Sequence, residues 1–352
     1  MSLGASQVKA LSGSLKATGA VKVVLESNSS LVDDVHKSAA SFFKAAPAAK
    51  QKFASKSDAY GAAGYRALAG KQVYDFTIAG NAPVPDVLAC TAPRAYTCLS
   101  AVGRTVLSAL NWSQRADAGG TGGPAADLAA LCEPVPLPPQ RPGASLLSLF
   151  SYQAKVGAAA EHVDRGLMTI IASTSAGLEV RGAGNSWQAL ELEKNEVAIL
   201  VGATLAAATG QKLLAAVHHV VAQPMVRSSV VLRMRGAPEA LLPPMSVAMF
   251  EKAFQESHPA SVNRNADAKG SSVSGANEVA GKGAAAADAP DAPEPKRRRS
   301  ERTAARAVPP PAPPPPLPAP APPLPQQTPP PPAMHEDDSL QIIIKILDYV
   351  RS

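Results

Sequence analysis

Aromatic side chains and cysteines are both scarce in this sequence. Phe, Trp and Tyr together account for 4% of the 352 residues, so a buried core must be built mainly from Val, Ile, Leu and Ala. The three cysteines, Cys90, Cys98 and Cys132, are odd in number and lack the C-x-x-C spacing of metal sites. A zinc site and a disulfide framework are therefore not indicated, and a reducing compartment fits best.

Long apolar runs and a strong charge imbalance are missing as well. No uninterrupted apolar run reaches the ~18 residues of a membrane span, and residues 1–10 have no apolar segment typical of a secretory signal. The net charge of +6 is mild and is partly concentrated in one basic run near the C-terminus. We therefore expect a cytoplasmic protein whose core binds neither membranes nor nucleic acid.

Helical periodicity is the main signal in residues 1–144, which we take as an N-terminal region of helices with a strand. Apolar residues recur there at three- and four-residue steps, which is typical of amphipathic helices. Gly- and Pro-rich sequence over 119–143 is interpreted as a long surface loop. Helices are predicted over 5–18, 31–46 and 92–112 and near 125–131, and a strand over 21–25.

From residue 145 the pattern changes to short β-type runs separated by turn residues. Many short strands with regular turns favour a β-sandwich or jelly roll over βαβ units. We therefore predict an α+β chain with flanking helices, in which 145–263 form a jelly-roll core closed by a helix over 247–257. Strands are predicted over 146–152, 168–173, 178–180, 197–201, 216–221 and 229–234.

After residue 263 the composition shifts to Ala, Gly, Ser, Asp and Pro, which cannot bury enough apolar area to offset chain entropy. Residues 264–333 are predicted to be a disordered Pro-rich linker. It carries the basic cluster Lys296–Arg299 and, over 309–332, repeated P-x-x-P spacing typical of polyproline II. The largely apolar end suits a helix or a strand, and we assign 334–352 as a short terminal helix.

One polar cluster interrupts the β-type region. In an extended strand alternate residues share a face, so His162 and Asp164 project the same way. His218 lies in a later apolar run, and two imidazoles with one carboxylate form the ligand set of non-haem Fe(II) oxygenases. Arg227 and Ser229 follow on the next predicted strand, where they would hold a small dicarboxylate.

Residues 146–238 resemble the plant-type 2-oxoglutarate- and Fe(II)-dependent dioxygenases, the isopenicillin N synthase-like family. The resemblance rests on H-x-D at 162–164, the distal His218 and R-x-S at 227–229, in that order. Weaker similarity to the N-terminal and C-terminal helical segments of the family extends it to residues 8–263. H-x-D alone is a weak signal, and the combination is far more specific.

The resemblance implies a double-stranded β-helix that binds Fe(II) through His162, Asp164 and His218. It also implies that Arg227, Ser229 and Tyr152 bind the distal carboxylate of 2-oxoglutarate, with ascorbate as a reductant. The implied activity hydroxylates or desaturates a small-molecule substrate with O2 and releases succinate and CO2. No other catalytic residue is implied beyond the iron ligands.

The chain departs from the family at three positions. His219 stands where the family usually has arginine, Ala203 where aspartate is common, and Phe150 where an asparagine is usual. These changes leave two alternatives open: a degenerate, non-catalytic scaffold that recruits partners through its tail, and an oxidase that uses no keto acid. His219 is also a competing ligand, although its side chain should point away from that of His218.

Simpler interpretations accompany each remaining motif. Arg227 and Ser229 would also suit an ordinary strand end, and Lys296–Arg299 suits a nuclear import signal or a solvated charge run equally well. The proline tract would dock SH3- or WW-type domains or act as a spacer. The sequence specifies neither the substrate nor the oligomeric state, because substrate contacts in such folds come from variable loops.

Overall fold

The computed structural model describes residues 3–25, 29–55, 63–117, 127–137, 141–258 and 344–346. Six α-helices lie in this part of the chain: α1 (Ala5–Thr18), α2 (Ser29–Lys44), α3 (Pro47–Gln51), α4 (Thr91–Asp117), α5 (Ala203–Ala208) and α6 (Val247–Ser257). None of the helices in these ranges is long and apolar enough to cross a membrane.

Fourteen β-strands accompany these helices in the described ranges. They are β1 (Ala20–Leu25), β2 (Gly64–Leu68), β3 (Lys71–Phe76), β4 (Leu146–Tyr152), β5 (Ala159–His162), β6 (Met168–Ser173), β7 (Leu178–Arg181), β8 (Trp187–Ala189), β9 (Glu196–Val201), β10 (His218–Val220), β11 (Arg227–Met234), β12 (Leu241–Leu242), β13 (Met245–Ser246) and β14 (Ile344–Ile346).

The strands form two sheets and a small hairpin. The larger sheet has the order β14-β1-β9-β6-β11-β4-β3-β2, the smaller one has the order β5-β10-β7-β8, and β12 pairs with β13. All pairings within these sheets are antiparallel. This is the jelly-roll architecture with flanking helices that the sequence predicted.

The larger sheet is buried on both faces because its strands carry apolar residues on each side. On β4, Leu147 and Leu149 face the helical layer, whereas Phe150 and Tyr152 belong to the cluster between the two sheets. The period of two along the strand explains how one strand serves both layers. Helices α1, α2 and α4 cover the outer face, so the inner face with its short opposing sheet is left for a pocket.

The predicted helix at 334–352 is wrong where the structure describes it. Ile344–Ile346 form β14, which pairs antiparallel with β1, Val23 opposite Ile346 and Leu25 opposite Ile344. β-branched isoleucines favour extended backbone, and the pairing satisfies backbone groups along an otherwise open edge. The predicted linker 264–333, the basic cluster Lys296–Arg299 and the proline tract lie outside the described residues.

Strands β2 and β3 and helix α5 lie in stretches for which no such element was predicted. β3 buries Lys71 and Asp75 on the face turned toward the smaller sheet. Polar residues at inward positions remove the alternation of apolar and polar residues by which a strand is recognised. The helices over 5–18, 31–46, 92–112 and 247–257 correspond to α1, α2, α4 and α6, with small shifts of their ends.

A buried histidine on α2 gives the fold an expected acid sensitivity. Burial lowers the pKa of His36 to about 4, and its Nδ1 lies 3.0 Å from the Ser228 hydroxyl. The unfolded chain therefore binds more protons than the folded chain between pH 6.5 and 4, so stability falls as the pH falls through this range. From pH 7 to pH 5 we expect His36 to remove about 2 kcal/mol from the free energy of unfolding.

Urea unfolding of His36→Gln at pH 7 and pH 5 measures this contribution. The glutamine variant should lose about 2 kcal/mol less than the native protein over that interval, while His258→Gln, at an exposed histidine of the chain just after α6, should behave like the native protein. Equal losses for the native protein and His36→Gln would contradict the assignment.

Candidate metal centre

His162 and His218 are brought together by strand pairing in the smaller sheet. His162 ends β5, His218 begins β10, and the two residues lie directly opposite each other in the antiparallel ladder. Their ring centroids are 4.2 Å apart. The contact between residues so far apart in the chain is therefore a product of backbone register.

Asp164 completes the cluster from the turn that follows β5. Its Oδ1 lies 3.8 Å from His162 Nε2, and its Oδ2 lies 3.6 Å from His218 Nε2. One ligand atom from each of the three residues falls within 4.8 Å of the others. Two nitrogen donors and one oxygen donor so close together suit a single divalent transition metal.

Hydrogen bonds at the far nitrogens orient both imidazoles. His162 Nδ1 donates to the Ala160 carbonyl oxygen at 2.7 Å, and His218 Nδ1 donates to the Ala216 carbonyl oxygen at 3.0 Å. This leaves the Nε2 lone pairs facing Asp164. Burial, together with the neighbouring His162, lowers the pKa of His218 to about 4, so the ring is neutral at pH 7 and able to bind a metal.

The carboxyl of Asp164 is held ionised by its surroundings. Burial alone would raise its pKa, but the charges of His218, His162 and Arg233 lower it by more. A hydrogen bond from the Thr169 hydroxyl lowers the pKa further. The pKa of Asp164 therefore lies well below its usual range. A carboxylate that stays ionised beside two imidazoles is a suitable set of metal donors.

The turn that carries Asp164 packs against the end of β9 with almost no space. Ala203 N donates to the Asp164 carbonyl oxygen at 2.8 Å. A Cβ placed on the preceding Gly202 would overlap the Gly166 carbonyl oxygen and would lie 3.1 Å from that of Asp164. Glycine at 202 is thus required for the backbone that presents the carboxylate.

Gly202→Ala should both destabilise the fold and weaken metal binding. We expect the free energy of unfolding to fall by about 3 kcal/mol because backbone atoms, unlike a flexible side chain, cannot move aside cheaply. Gly13→Ala is the matched control: its added Cβ meets nothing within 4 Å in the middle of α1, so it should gain about 0.5–1 kcal/mol. Unchanged stability and unchanged Mn(II) affinity in Gly202→Ala would contradict this role.

Arg227 lies at the other end of the pocket. It begins β11 opposite Tyr152 on β4, is 2% exposed, and its Cζ lies 5.2 Å from the centroid of the Tyr152 ring. Tyr152 interacts with the guanidinium electrostatically and through a side-chain hydrogen bond. Within the described ranges no carboxylate pairs with the three guanidinium nitrogens, and the hydroxyl of Ser229 has no hydrogen-bond partner. A buried guanidinium without a carboxylate is suited to bind an anion.

A single pocket joins the two groups. Its cavity volume is about 160 Å³, and both the His162–Asp164–His218 cluster and the row of Tyr152, Arg227 and Ser229 line it. The remaining walls combine aliphatic with charged side chains. The aliphatic lining comes from Leu68, Val73, Ile171, Leu178, Val220 and Val231.

Five polar residues of the pocket were not assigned a role from sequence: Arg66, Lys71, Glu161, Thr169 and Arg233. Arg233 shares its face of β11 with Arg227 and Ser229, so period-two counting along the strand would have found it. Lys71 had no such signal because β3 was not recognised as a strand.

The three departures from the family pattern leave the cluster intact. His219 points away from it: His219 Nε2 lies 2.6 Å from Glu179 Oε2, and its ring stacks on Trp187 at 3.8 Å. Ala203 is buried at the start of α5, and Phe150 contributes its ring to the pocket wall. None of these side chains replaces His162, Asp164 or His218.

Comparison with known proteins identifies the fold. No protein-family model and no curated protein sequence matches the chain. Among solved structures, a protein from Shewanella oneidensis assigned as an oxygenase matches with a TM-score of 0.61 and 18% identity over 73% of this chain and 97% of that one.

Two further structures give the same result. A full-length Neurospora crassa protein in complex with alpha-KG matches with a TM-score of 0.58 and 17% identity, over 72% of this chain and 91% of that one. A protein from Caulobacter crescentus assigned to the 2OG-Fe(II) oxygenase family matches with a TM-score of 0.54 and 19% identity, over 71% of this chain and 93% of that one. At these identities the likeness establishes a shared fold, which confirms the predicted double-stranded β-helix.

Proposed function

We propose that this protein is a 2-oxoglutarate- and Fe(II)-dependent oxygenase that oxidises a small-molecule substrate with O2. The observation that carries the proposal is the buried guanidinium of Arg227, which pairs with no carboxylate among the described residues and shares one pocket with His162, Asp164 and His218. The three metal donors alone would fit many activities. The cluster together with an anion site in the same cavity is what a bidentate keto-acid cosubstrate requires.

The donor set fits Fe(II). His162 and His218 each offer Nε2 and Asp164 offers a carboxylate oxygen, and all three residues line the pocket. Three protein ligands on one side leave the other coordination positions for small molecules, as in the facial-triad oxygenases. When bound, Fe(II) would supply the activation of dioxygen, and the protein would position the reactants and exclude water.

The other end of the pocket fits the distal carboxylate of 2-oxoglutarate. The planar fork of Arg227 pairs with a carboxylate through two parallel hydrogen bonds, a geometry that lysine cannot reproduce. Ser229 Oγ lies buried two residues along the same strand face, and Tyr152 lies opposite Arg227. The likeness to the Neurospora crassa structure bound to alpha-KG, the same keto acid, supports the choice of cosubstrate.

The finer activity, hydroxylation or desaturation with release of succinate and CO2, follows from this assignment. The aliphatic walls suit an unactivated carbon chain or ring as the group that is oxidised. The degenerate-scaffold alternative draws on the losses at 150, 203 and 219, yet those side chains lie where they do not displace the three donors. The oxidase alternative would leave Arg227 without a ligand.

Titration of the full chain with Mn(II), followed by 2-oxoglutarate under nitrogen, tests the proposal without turnover. We expect one Mn(II) site and metal-dependent binding of one keto acid. In air, the Fe(II)-loaded protein with ascorbate should then convert 2-oxoglutarate to succinate when screened with a metabolite library. Metal binding without keto-acid binding would favour the oxidase, and binding of neither would favour the scaffold.

A further inference from the structure

The pocket contains more positive charge than a metal and a keto acid account for. Lys71, Arg66 and Arg233 line it in addition to Arg227. Lys71 is 6% exposed, and within the described residues its ammonium is paired with no carboxylate; it donates to the Ala158 carbonyl oxygen at 3.3 Å. Its other neighbours are the rings of Phe150 and Tyr152, and a buried ammonium without an anionic partner is costly.

Lys71 and Arg233 converge on one ring. Lys71 Nζ lies 5.9 Å and Arg233 Cζ lies 5.5 Å from the centroid of Phe150. Burial lowers the pKa of Lys71 to about 8, with repulsion from Arg233 and Arg66 as the further causes. Lys71 Nζ also lies 5.7 Å from the centroid of Tyr152, the ring that Arg227 contacts, so the ammonium lies between the Phe150 and Tyr152 rings.

A hydrogen-bonded chain fixes the arginines in place. Arg66 pairs with Asp75, Ser148 Oγ donates to Asp75, and Arg233 Nη1 donates to Ser148 Oγ at 2.6 Å. Asp75 is fully buried and offsets one of the two guanidinium charges. Arg233 Nε also lies 3.8 Å from Asp164 Oδ1, a carboxylate that belongs to the metal donor set. Lys71 therefore brings a positive charge that these carboxylates do not offset, beside a guanidinium that is held in position.

We propose that Lys71 and Arg233 bind the carboxylate of the primary substrate above the Phe150 ring, so that the substrate is a small organic acid with an apolar body. The inference rests on the proposed function, because it concerns the second ligand of the same pocket. Arg233 reaches Asp164, so an acid held there lies beside the metal donors. Its apolar body would contact the aliphatic walls, and Arg227 remains for the keto acid.

Calorimetric titration of the full chain loaded with Mn(II) and 2-oxoglutarate tests the inference. The probes are phenylacetate and hexanoate, their neutral amides phenylacetamide and hexanamide, and phenyl phosphate. The native protein should bind at least one acid about tenfold more tightly than the corresponding amide, because charge-assisted hydrogen bonds form only with the acid. Equal binding of acids and amides, or binding of neither, would overturn the inference, and a preference for phenyl phosphate would overturn the choice of carboxylate.

Variants locate the binding group. Lys71→Met should lower acid affinity about tenfold and leave amide and 2-oxoglutarate binding within about twofold, whereas Lys71→Arg should retain most of the preference for the acid. Lys212→Met, at an exposed lysine far along the chain, is the matched control and should behave like the native protein. If Lys71→Met weakens 2-oxoglutarate binding instead, Lys71 belongs to the cosubstrate site and the inference is wrong.

Titrating the acids and amides into the protein without metal or keto acid, and titrating 2-oxoglutarate separately, distinguishes failure of this inference from failure of the proposed function. A preference for acids that depends on Lys71 but occurs without any 2-oxoglutarate binding would preserve the organic-acid site and refute the oxygenase. Binding of 2-oxoglutarate without discrimination between acids and amides would preserve the oxygenase and refute the organic-acid site.

Discussion

The metal affinity of His218→Ala should fall by more than about 100-fold. Loss of an outer-sphere partner alone lowers metal affinity about 10–100-fold, and His218 would be a direct ligand. Its Nε2 faces Asp164, its Nδ1 is fixed on the Ala216 carbonyl oxygen, and it is 4% exposed. Keto-acid turnover should disappear with the metal, as measured by Mn(II) titration and by succinate release.

The neighbouring histidine provides the matched control. His219 lies on the same strand but faces Glu179 and Trp187, so His219→Ala should keep metal affinity within about threefold while losing ~1 kcal/mol of stability with its hydrogen bond and ring stack. Because the two substitutions remove the same side chain from adjacent positions, their difference isolates orientation. Equal metal affinity in the two variants would refute the assignment of ligands.

Arg227→Met should separate cosubstrate binding from folding, because we expect it to weaken 2-oxoglutarate binding without destabilising the fold. The Kd for 2-oxoglutarate should rise about 100-fold, which corresponds to roughly 3 kcal/mol for loss of a buried charge pair. The free energy of unfolding without ligand should not fall, since burial lowers the pKa of Arg227 and the guanidinium is desolvated with no carboxylate beside it in the described part of the chain. Calorimetry and urea unfolding measure the two quantities.

Two further variants sharpen this result. Arg227→Lys keeps the charge but loses the planar fork, so its affinity should fall between those of the native protein and Arg227→Met. Arg141→Met removes a partly exposed arginine paired with Glu239 at 2.8 Å, and it should leave 2-oxoglutarate binding unchanged. A large loss of stability in Arg227→Met with normal keto-acid binding would mean that Arg227 is structural.

Local periodicity was sufficient to predict which polar side chains project together where they lie on one strand or one turn. Arg227 and Ser229 share a strand face, and His162 and Asp164 are separated by one residue, so the sequence predicted that each pair projects together. The same counting failed on β3, where Lys71 and Asp75 lie at buried positions. Functional sites break the apolar–polar pattern by which elements are recognised, so the residues that line a site are the hardest to place.

The prediction of a helix for the terminal segment was wrong for a different reason. Ile344–Ile346 suit a helix or a strand by local pattern, and the partner that decides between them is β1, which lies near the other end of the chain. Pairing partners at such separation leave no trace in a local window of sequence. The strand prediction for β1 itself came from its own residues and needed no partner.

By itself the sequence determined the fold class and proposed three donors and an arginine, because alternate spacing and the order of the motifs resemble those of a known family. Only the tertiary structure decided that β10 pairs with β5 so that His218 meets His162, and that Lys71 and Arg233 come to the same ring. Register between distant strands is set by the packing of two whole sheets, and no short stretch of residues encodes it.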